Sequence, residues 1–387
     1  MIEKERIHDF INKIKLYQLK NPIPVFFAGL LTCTILLFFI DLLFGFKHFE
    51  FESFIFQNFY DYLADFINHA RFATDSTIYG YNGLPQELAE RGLPPMEYLF
   101  SRIFSHMANY NSIPTLFLNG YSMHNSIAKS IYITNFALCI ISVIFYTYLY
   151  EKLSINNKYL KFFIIITFLF TIPFMYELER GNSIFISAFC VAIYLFNYDS
   201  ENKIKKELGL LALGFACALK LVPFLFIILL LNKKNYKCIF RVFLYFCIFF
   251  FAALFLLKEA HNILLFFRNA IINNKVYGYS NFKFFIILAI YFFIPVFKQT
   301  WKKVFIIAAL LASLNNFTGY RLMYLYPVIV MFLNKSTFNR WDYVYAVLFL
   351  LIISPLRLLN NEFLIFLFLG LLINEQILIY INKNKKS

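Results

Sequence analysis

The sequence predicts an all-α polytopic membrane protein, with about ten to twelve transmembrane helices and interfacial helices in a large first outer loop. Three observations predict this fold class. Of the 387 residues, 60% are apolar and only 15% are charged, whereas a soluble domain carries about 25% charged residues. Apolar runs near the roughly 20 residues that span a bilayer recur along the chain. Short basic clusters separate many of these runs, as in cytoplasmic loops of membrane proteins.

The apolar runs predict the helices in order, within one integral membrane domain that covers residues 1–387. The run 24–46 follows a charged N-terminal segment, residues 1–23, and is predicted to be an uncleaved signal anchor with its N-terminus inside. A polar and aromatic stretch, residues 47–126, is predicted to be the large outer loop. The helical membrane core, residues 127–381, follows. Its apolar runs are 127–150, 159–176, 182–198, 208–231, 238–257, 281–297, 304–317, 320–333, 341–354 and 363–381.

The basic residues predict the orientation of the helices. The net charge is +14, and many Lys and Arg residues fall into seven short clusters. These clusters are residues 4–20, 152–161, 203–206, 233–241, 298–303, 335–340 and 383–386. If all seven are cytoplasmic, the run 208–231 must be a hairpin of two short helices, with Lys220 and Pro223 at its tip. The chain is then a multi-pass protein of a bacterial inner (cell) membrane, with both termini on the cytoplasmic side. No single basic face of the kind that binds nucleic acid is present.

The outer loop contains the first candidate site. Residues 57–72 read QNFYDYLADFINHARF and have apolar residues at helical spacing, which predicts an amphipathic helix along the membrane surface. Asp61 and Asp65 are one turn apart, so both carboxylates project from one side. Such a carboxylate can act as a general base when partial burial raises its pKa. A solvated polar face explains the same spacing. Residues 96–107 form an apolar stretch that is too short to span the bilayer. This stretch is predicted to be a second interfacial or re-entrant helix.

A second candidate is the segment Glu177-Leu-Glu-Arg-Gly-Asn182, which includes Glu179 and Arg180. It joins two apolar runs with almost no polar spacer, so three charges lie at the outer edge of the membrane. Charges in this position are costly unless they are paired or functional. Both readings, a functional cluster and a short loop that neutralises itself, fit the sequence.

A third candidate is Lys220, in the middle of an apolar run. A buried lysine needs an anion or an aqueous cavity, and a phosphate suits it because lysine acts as a point charge. The helix after Pro223 adds the positive end of a helix dipole. The other reading is a lysine whose ammonium group reaches the outer headgroups.

Arg321, preceded by Tyr320, opens an apolar run at the outer face and either binds a lipid phosphate or anchors the helix at the interface. Four histidines, His69, His106, His124 and His261, fall on the outer side without metal-site spacing. Motifs for ATP or dinucleotide chemistry are absent from the sequence. We therefore predict no metal and no cofactor.

The order of these features resembles a known family. The stretch ERGNSIFISAFCVAIYLF precedes GLLALGFACALKLVPFLFIILLLNKKNYK. This order is similar to that of the polyprenol-phosphate-dependent mannosyltransferases of glycosyltransferase family 87, in the GT-C superfamily. Gly181-Asn182 and Lys220-Leu-Val-Pro223 match the family pattern, although the usual Gln between Gly and Asn is absent. Residues 320–333 resemble the family's Tyr-rich helix, and the likeness covers about two-thirds of the chain.

The resemblance implies an inverting membrane glycosyltransferase with a GT-C-like fold. It would move a hexose such as mannose from a polyprenyl-phosphate donor to a cell-envelope glycan or glycolipid acceptor at the outer face. The catalytic base is carried over to Asp65, with Asp61 as the reserve. The candidate substrate-binding residues are Lys220, Arg180, Asn182, Glu179, Arg321, Tyr320 and His69.

Two other functions compete with this one. A polysaccharide polymerase of the O-antigen type acts on similar lipid-linked sugars, but its large loop usually comes late in the chain, whereas here it comes early. A non-enzymatic lipid or glycan flippase would have charges at several depths along a central path. Here the charges cluster on the predicted outer side.

Overall fold

The protein is described by a computed structural model that covers residues 22–44, 69, 72–73, 78–80, 88, 91–107, 125–276, 291–292, 294–313, 319–354 and 361–384. All regular secondary structure in these ranges is helical, which confirms the all-α part of the predicted fold class. The α-helices are α1 (Pro22–Phe44), α2 (Pro95–Met107), α3 (Asn125–Lys152), α4 (Lys158–Thr167), α5 (Ile172–Arg180), α6 (Ile184–Asn197), α7 (Lys203–Leu219), α8 (Ile228–Asn232), α9 (Tyr236–Leu256), α10 (Ile263–Val276), α11 (Thr300–Ser313), α12 (Leu325–Leu333), α13 (Arg340–Ile353) and α14 (Asn361–Asn384). Short 3-10 segments cover Phe168–Phe170, Val222–Ile227, Ala260–Asn262, Ile294–Val296 and Gly319–Tyr324.

Asparagine side chains start four of these helices. Asn157, Asn202, Asn235 and Asn339 each accept a hydrogen bond from a backbone N–H in the first turn of the helix that follows. This contact satisfies one of the amide groups that have no partner within the helix. The polar turns between the apolar runs therefore set where α4, α7, α9 and α13 begin.

One predicted run is interrupted. Residues 159–176 form α4, a 3-10 turn and then α5, because Thr171 is extended at the junction and Pro173 lies in the first turn of α5, where its missing N–H costs nothing. The charged residues 177–180 were expected in a connecting loop, but they form the last turn of α5. The turn itself is at Gly181, whose φ of 63° favours glycine.

The break predicted at Lys220 is present. Helix α7 ends at Leu219, and Lys220 is extended with φ −140° and ψ 126°. Helical backbone resumes as the 3-10 segment Val222–Ile227, with Pro223 near its start. The proline explains the interruption, because it cannot donate the hydrogen bond that a continuous helix needs.

The proximity of the Cα atoms divides the chain into two compact units. In the unit of residues 1–54, 149–172 and 329–387, α13 packs against α1 and α14. There the ring of Tyr345 stacks on Phe368 with 5.0 Å between centroids, and its hydroxyl donates to Glu375 Oε2 at 2.5 Å.

The unit of residues 55–148 and 173–328 is built around α6, α7 and α9. Helices α7 and α9 approach closely at Gly214. A Cβ added to Gly214 would lie 2.6 Å from Tyr245 Cβ and 3.0 Å from the backbone N of Phe246. Only a residue without a side chain fits this approach.

Within the described residues, one helix, Tyr236–Leu256, is both long enough and apolar enough to cross a membrane. Five further apolar helical stretches fall short of that length. The number of spans predicted from the sequence therefore stays a prediction.

The packing predicts the effect of adding one methyl group to α7. Gly214→Ala should lower the free energy of unfolding by roughly 1–3 kcal/mol, because α7 must move away from the backbone of α9. The measurement is thermal unfolding of the purified chain in detergent.

Gly370→Ala is the matched control, because a Cβ at Gly370 in α14 meets nothing within 4 Å. That variant should be neutral or slightly more stable, since alanine favours helix over glycine. Equal effects of the two substitutions would contradict the proposed close approach.

Candidate functional site

A buried ionic cluster surrounds Glu97 in the first turn of α2. The Glu97 side chain is 1% exposed, and its Oε2 lies 3.2 Å from Nζ of Lys220. Its Oε1 lies 2.9 Å from Nδ1 of His69, and the hydroxyl of Ser183 donates to Oε2. One carboxylate thus has three partners, which come from His69 upstream of α2, from the start of α6 and from the break after α7.

These partners keep Glu97 ionised. Burial by itself raises the pKa of the Glu97 carboxyl, but the charge of Lys220 and the hydrogen bonds from His69 and Ser183 outweigh it. The net result is a pKa lowered to about 2. Glu97 is therefore a fixed negative charge at neutral pH and a weak proton acceptor.

Small side chains bring the lysine to the carboxylate. Ala218 and Leu219, in the last turn of α7, pack with Met96 of α2 and Ala253 of α9. This contact sets α2 beside the end of α7, where the chain turns at Lys220. Because helix packing distances depend on side-chain size, the alanines allow the two elements to meet closely.

A small open cleft lies beside the cluster. Its polar wall combines His69 and side chains of α2 with the turn that begins α6, and its apolar wall comes largely from α3. The lining residues are His69, Glu97, Phe100, Ser101, Ala137, Leu138, Ile141, Gly181, Asn182, Ser183 and Ile186. The cleft therefore has one polar and one apolar wall.

A second polar group lies one helical turn farther along α6. The hydroxyls of Ser187 and Tyr324 are 2.9 Å apart and buried. Arg321 and Glu177 both interact electrostatically with Tyr324. Residues four apart share a helix face, so Ser183 and Ser187 connect the two polar groups along α6.

Glu259 holds the backbone of residues 78–79, in the same unit. Its Oε1 accepts the backbone N–H of Ile78 at 2.7 Å, and its Oε2 accepts that of Tyr79. The carbonyl oxygens of the same two residues accept from Arg91 Nη1 at 3.1 Å and from Asn269 Nδ2 at 3.3 Å. Residues 78 and 79 lie outside regular secondary structure. Side chains therefore form the hydrogen bonds to all four of their backbone polar groups.

The same contacts lead directly to α2. The hydroxyl of Tyr79 donates to the carbonyl of Leu93 at 2.9 Å, just before α2 begins. A Cβ added to Gly92 would lie 2.6 Å from the backbone oxygen of Asn269 in α10. Glu259 and Asn269 thus position the segment from which Glu97 projects.

The structure brings some predicted site residues together. His69 and Lys220 share the Glu97 carboxylate, and Asn182 lines the same cleft. Arg321 belongs to the neighbouring polar group. Arg180 ends α5, directly before the turn at Gly181.

Other predicted residues contribute no side-chain geometry. Glu179 and Tyr320 are described by backbone alone, in α5 and in the 3-10 segment Gly319–Tyr324 respectively. Asp65 and Asp61, the predicted base and its reserve, lie outside the described residues. Their roles stay predictions.

Sequence reasoning did not single out Glu97 or Ser183. A signal existed, because Glu97 is the only acid in the apolar stretch 96–107. An isolated acid and an isolated lysine, each within an apolar segment, are natural partners, since each is costly to bury by itself.

Comparison of the chain with protein-family models, with curated proteins and with solved structures finds no match. The resemblance to glycosyltransferase family 87 therefore depends on the quoted motifs alone.

The contacts of Glu259 predict a local effect. Glu259→Ala should speed hydrogen exchange in residues 78–93 by about tenfold or more, because a buried backbone N–H without an acceptor costs 1–3 kcal/mol. Exchange in α9 should change little. The measurement is hydrogen exchange with mass spectrometry on the full chain in detergent.

His261→Ala is the control, since His261 is exposed in the same 3-10 turn. Unchanged exchange of residues 78–93 in the Glu259→Ala variant would contradict the role given to Glu259.

The lowered pKa of Glu97 predicts an acid-dependent contribution to stability. Glu97→Gln at pH 7 should cost roughly 3–5 kcal/mol, because Lys220 keeps its charge without a charged partner. A lowered folded pKa gives stability that is fully present above the ordinary value of 4.5 and lost as the pH falls toward 2. The difference from wild type should therefore shrink over that interval.

Thermal unfolding at several pH values measures this difference. The double variant Glu97→Gln/Lys220→Met should recover much of the loss at pH 7, because it removes both buried charges. A difference between Glu97→Gln and wild type that does not vary with pH would contradict the ion pair.

Proposed function

We propose that this chain is a polytopic membrane glycosyltransferase. It would move a hexose from a polyprenyl-phosphate donor to a cell-envelope glycan or glycolipid acceptor at the outer face of a bacterial cell membrane. The observation that carries the proposal is the convergence on Glu97. The two motifs that underlie the family resemblance, Gly181-Asn182 and Lys220-Leu-Val-Pro223, are separated in the sequence but lie at one cluster: Lys220 contacts the Glu97 carboxylate, and Gly181 and Asn182 line the cleft beside it.

The outward side chains support the membrane part of the proposal. In α9, Phe240 and Phe255 are 67% and 70% exposed. Further exposed apolar residues of α9 are Phe243, Leu244, Ile248, Phe251 and Leu256. Such a surface is unfavourable in water but costs nothing in lipid.

Helix α3 repeats this pattern. Phe136, Ile140, Val143 and Ile144 are exposed at helical spacing, whereas Ser142 is buried. Charged groups such as Glu97 and Lys220 are turned inward and paired, as charges within a membrane must be. This distribution, apolar outside and polar inside, supports several spans rather than one.

Lys220 is suited to hold the donor phosphate. Its ammonium group has three donors, of which the contact with Glu97 uses one. As far as the described residues show, the other two are left for phosphate oxygens. The Glu97 carboxylate directs the ammonium group, and the lysine side chain is 12% exposed.

The reaction then follows from the chemistry of the donor. An acceptor hydroxyl attacks the anomeric carbon, and the bond from that carbon to the phosphate oxygen breaks with inversion. Lys220 neutralises the charge that develops on the departing polyprenyl phosphate. Asn182 and Ser101 are polar residues of the cleft wall beside which the sugar would bind. The resemblance assigns proton removal to the segment of Asp65, with Asp61 as the reserve.

The test is transfer of a labelled hexose from its polyprenyl phosphate to envelope lipid acceptors, by the full chain in proteoliposomes. Wild type should transfer the label. The double variant Glu97→Gln/Lys220→Met should lose about 100-fold or more of the rate, because its fold is kept while the cation is removed. Glu201→Gln, at an exposed position before α7, is the control and should keep the wild-type rate.

Wild-type transfer by the double variant would contradict the role of Lys220. Movement of labelled lipid between leaflets without any transfer would instead support the flippase. Formation of long polymers from one lipid-linked repeat unit would support the polymerase.

A further inference from the structure

We infer that His69, oriented by Glu97, accepts the proton of the acceptor hydroxyl. This inference rests on the proposed transferase function and assigns the proton-transfer step within the same site. It gives the role of base to an imidazole, in place of the carboxylate of Asp65 that the family resemblance implies.

The geometry of the imidazole leads to this assignment. Nδ1 of His69 lies 2.9 Å from Oε1 of Glu97. An ionised carboxylate only accepts hydrogen bonds, so Nδ1 carries a hydrogen. In the neutral ring the lone pair is then on Nε2, the nitrogen that acts as a general base.

The ring is also held in place. Its edge-to-face contact with Tyr98 has 6.3 Å between centroids and an interplanar angle of 80°. The side chain is 12% exposed and belongs to the lining of the cleft. A base that is oriented by one partner and open to the cleft meets the geometric requirement for proton transfer.

Glu97 is unsuited to the same task. Its two oxygens already accept from His69, Ser183 and Lys220. A carboxylate used in this way orients an imidazole and stabilises the imidazolium that forms, without taking up the proton itself. Glu97 is therefore a positioning residue, and His69 the reacting one.

Among the described residues, the titratable groups that face His69 are Glu97, Lys220 through the shared carboxylate, and Tyr98. His69 contacts Oε1 of the carboxylate and Lys220 contacts Oε2. The group proposed to take the proton and the group proposed to hold the donor phosphate therefore flank one carboxylate.

The step balances as follows. The oxygen of the acceptor hydroxyl forms a bond to the anomeric carbon, and its proton goes to Nε2 of His69. The bond between that carbon and the phosphate oxygen breaks, and its electron pair leaves with the polyprenyl phosphate. The imidazolium then returns the proton to water or to the released phosphate, whose second ionisation lies near neutral pH.

The test compares variants of His69 in the hexose-transfer assay, in the full chain in proteoliposomes. His69→Gln should lower kcat about 100-fold or more with the donor KM changed only a few-fold. Wild-type kcat should fall on acidification, and this fall should disappear in His69→Gln. Adding imidazole to His69→Ala should restore part of the rate, which also shows that the variant is folded.

His261→Ala is the matched control, with an exposed histidine removed outside the site, and should keep both the rate and the pH profile. Glu97→Gln should lower kcat and alter the acid side of the profile, as expected when the imidazole loses its orientation. Asp65→Asn that keeps a pH profile of wild-type shape would support His69 as the base.

The outcomes separate the two proposals. If wild type transfers hexose and His69→Gln keeps its kcat and pH profile, the inference is overturned and the transferase function stands. If Asp65→Asn abolishes transfer while His69→Gln is active, the base is Asp65 and the inference is again overturned. If wild type transfers nothing from any polyprenyl-phosphate hexose, both proposals fail.

Discussion

The ion pair between Glu97 and Lys220 is the interaction on which the candidate site depends. Neither charge is tolerable alone in apolar surroundings, because the cost of removing a charge from water exceeds what packing returns. Together they hold the first turn of α2 against the extended break after α7. His69 and Ser183 complete the coordination of the carboxylate, so one interaction gathers three distant parts of the chain.

Residues 78–79 obey a different constraint, the need of every buried backbone polar group for a partner. Ile78 and Tyr79 are in no helix. Glu259, Arg91 and Asn269 make the hydrogen bonds to their backbone that helical neighbours would otherwise make. The connection through Tyr79 to Leu93 carries this order to the start of α2. The position of Glu97 is therefore determined both by its charge partner and by the residues that anchor the segment before it.

The distribution of polarity makes a membrane function physically coherent. Exposed Phe and Ile side chains cover the outer faces of α3 and α9, while charges are paired in the interior. The cleft beside Glu97 has one apolar and one polar wall. In the proposed reaction, Glu97 would orient the imidazole of His69, His69 would take the proton of the nucleophile, and Lys220 would neutralise the leaving group. One small cluster would therefore act on both reaction partners.

The sequence by itself determined the helical class, the approximate positions of several helices, the break at Lys220 and the interest of Lys220. These depend on local rules: the length of apolar runs, the missing N–H of Pro223 and the cost of a charge in an apolar run. Tertiary structure alone decided that Glu97 is the partner of Lys220 and that Glu259 serves the backbone of residues 78–79. Such pairings join residues far apart in the chain. They depend on how α2 packs against α7 and α9, which periodicity and charge counts do not record.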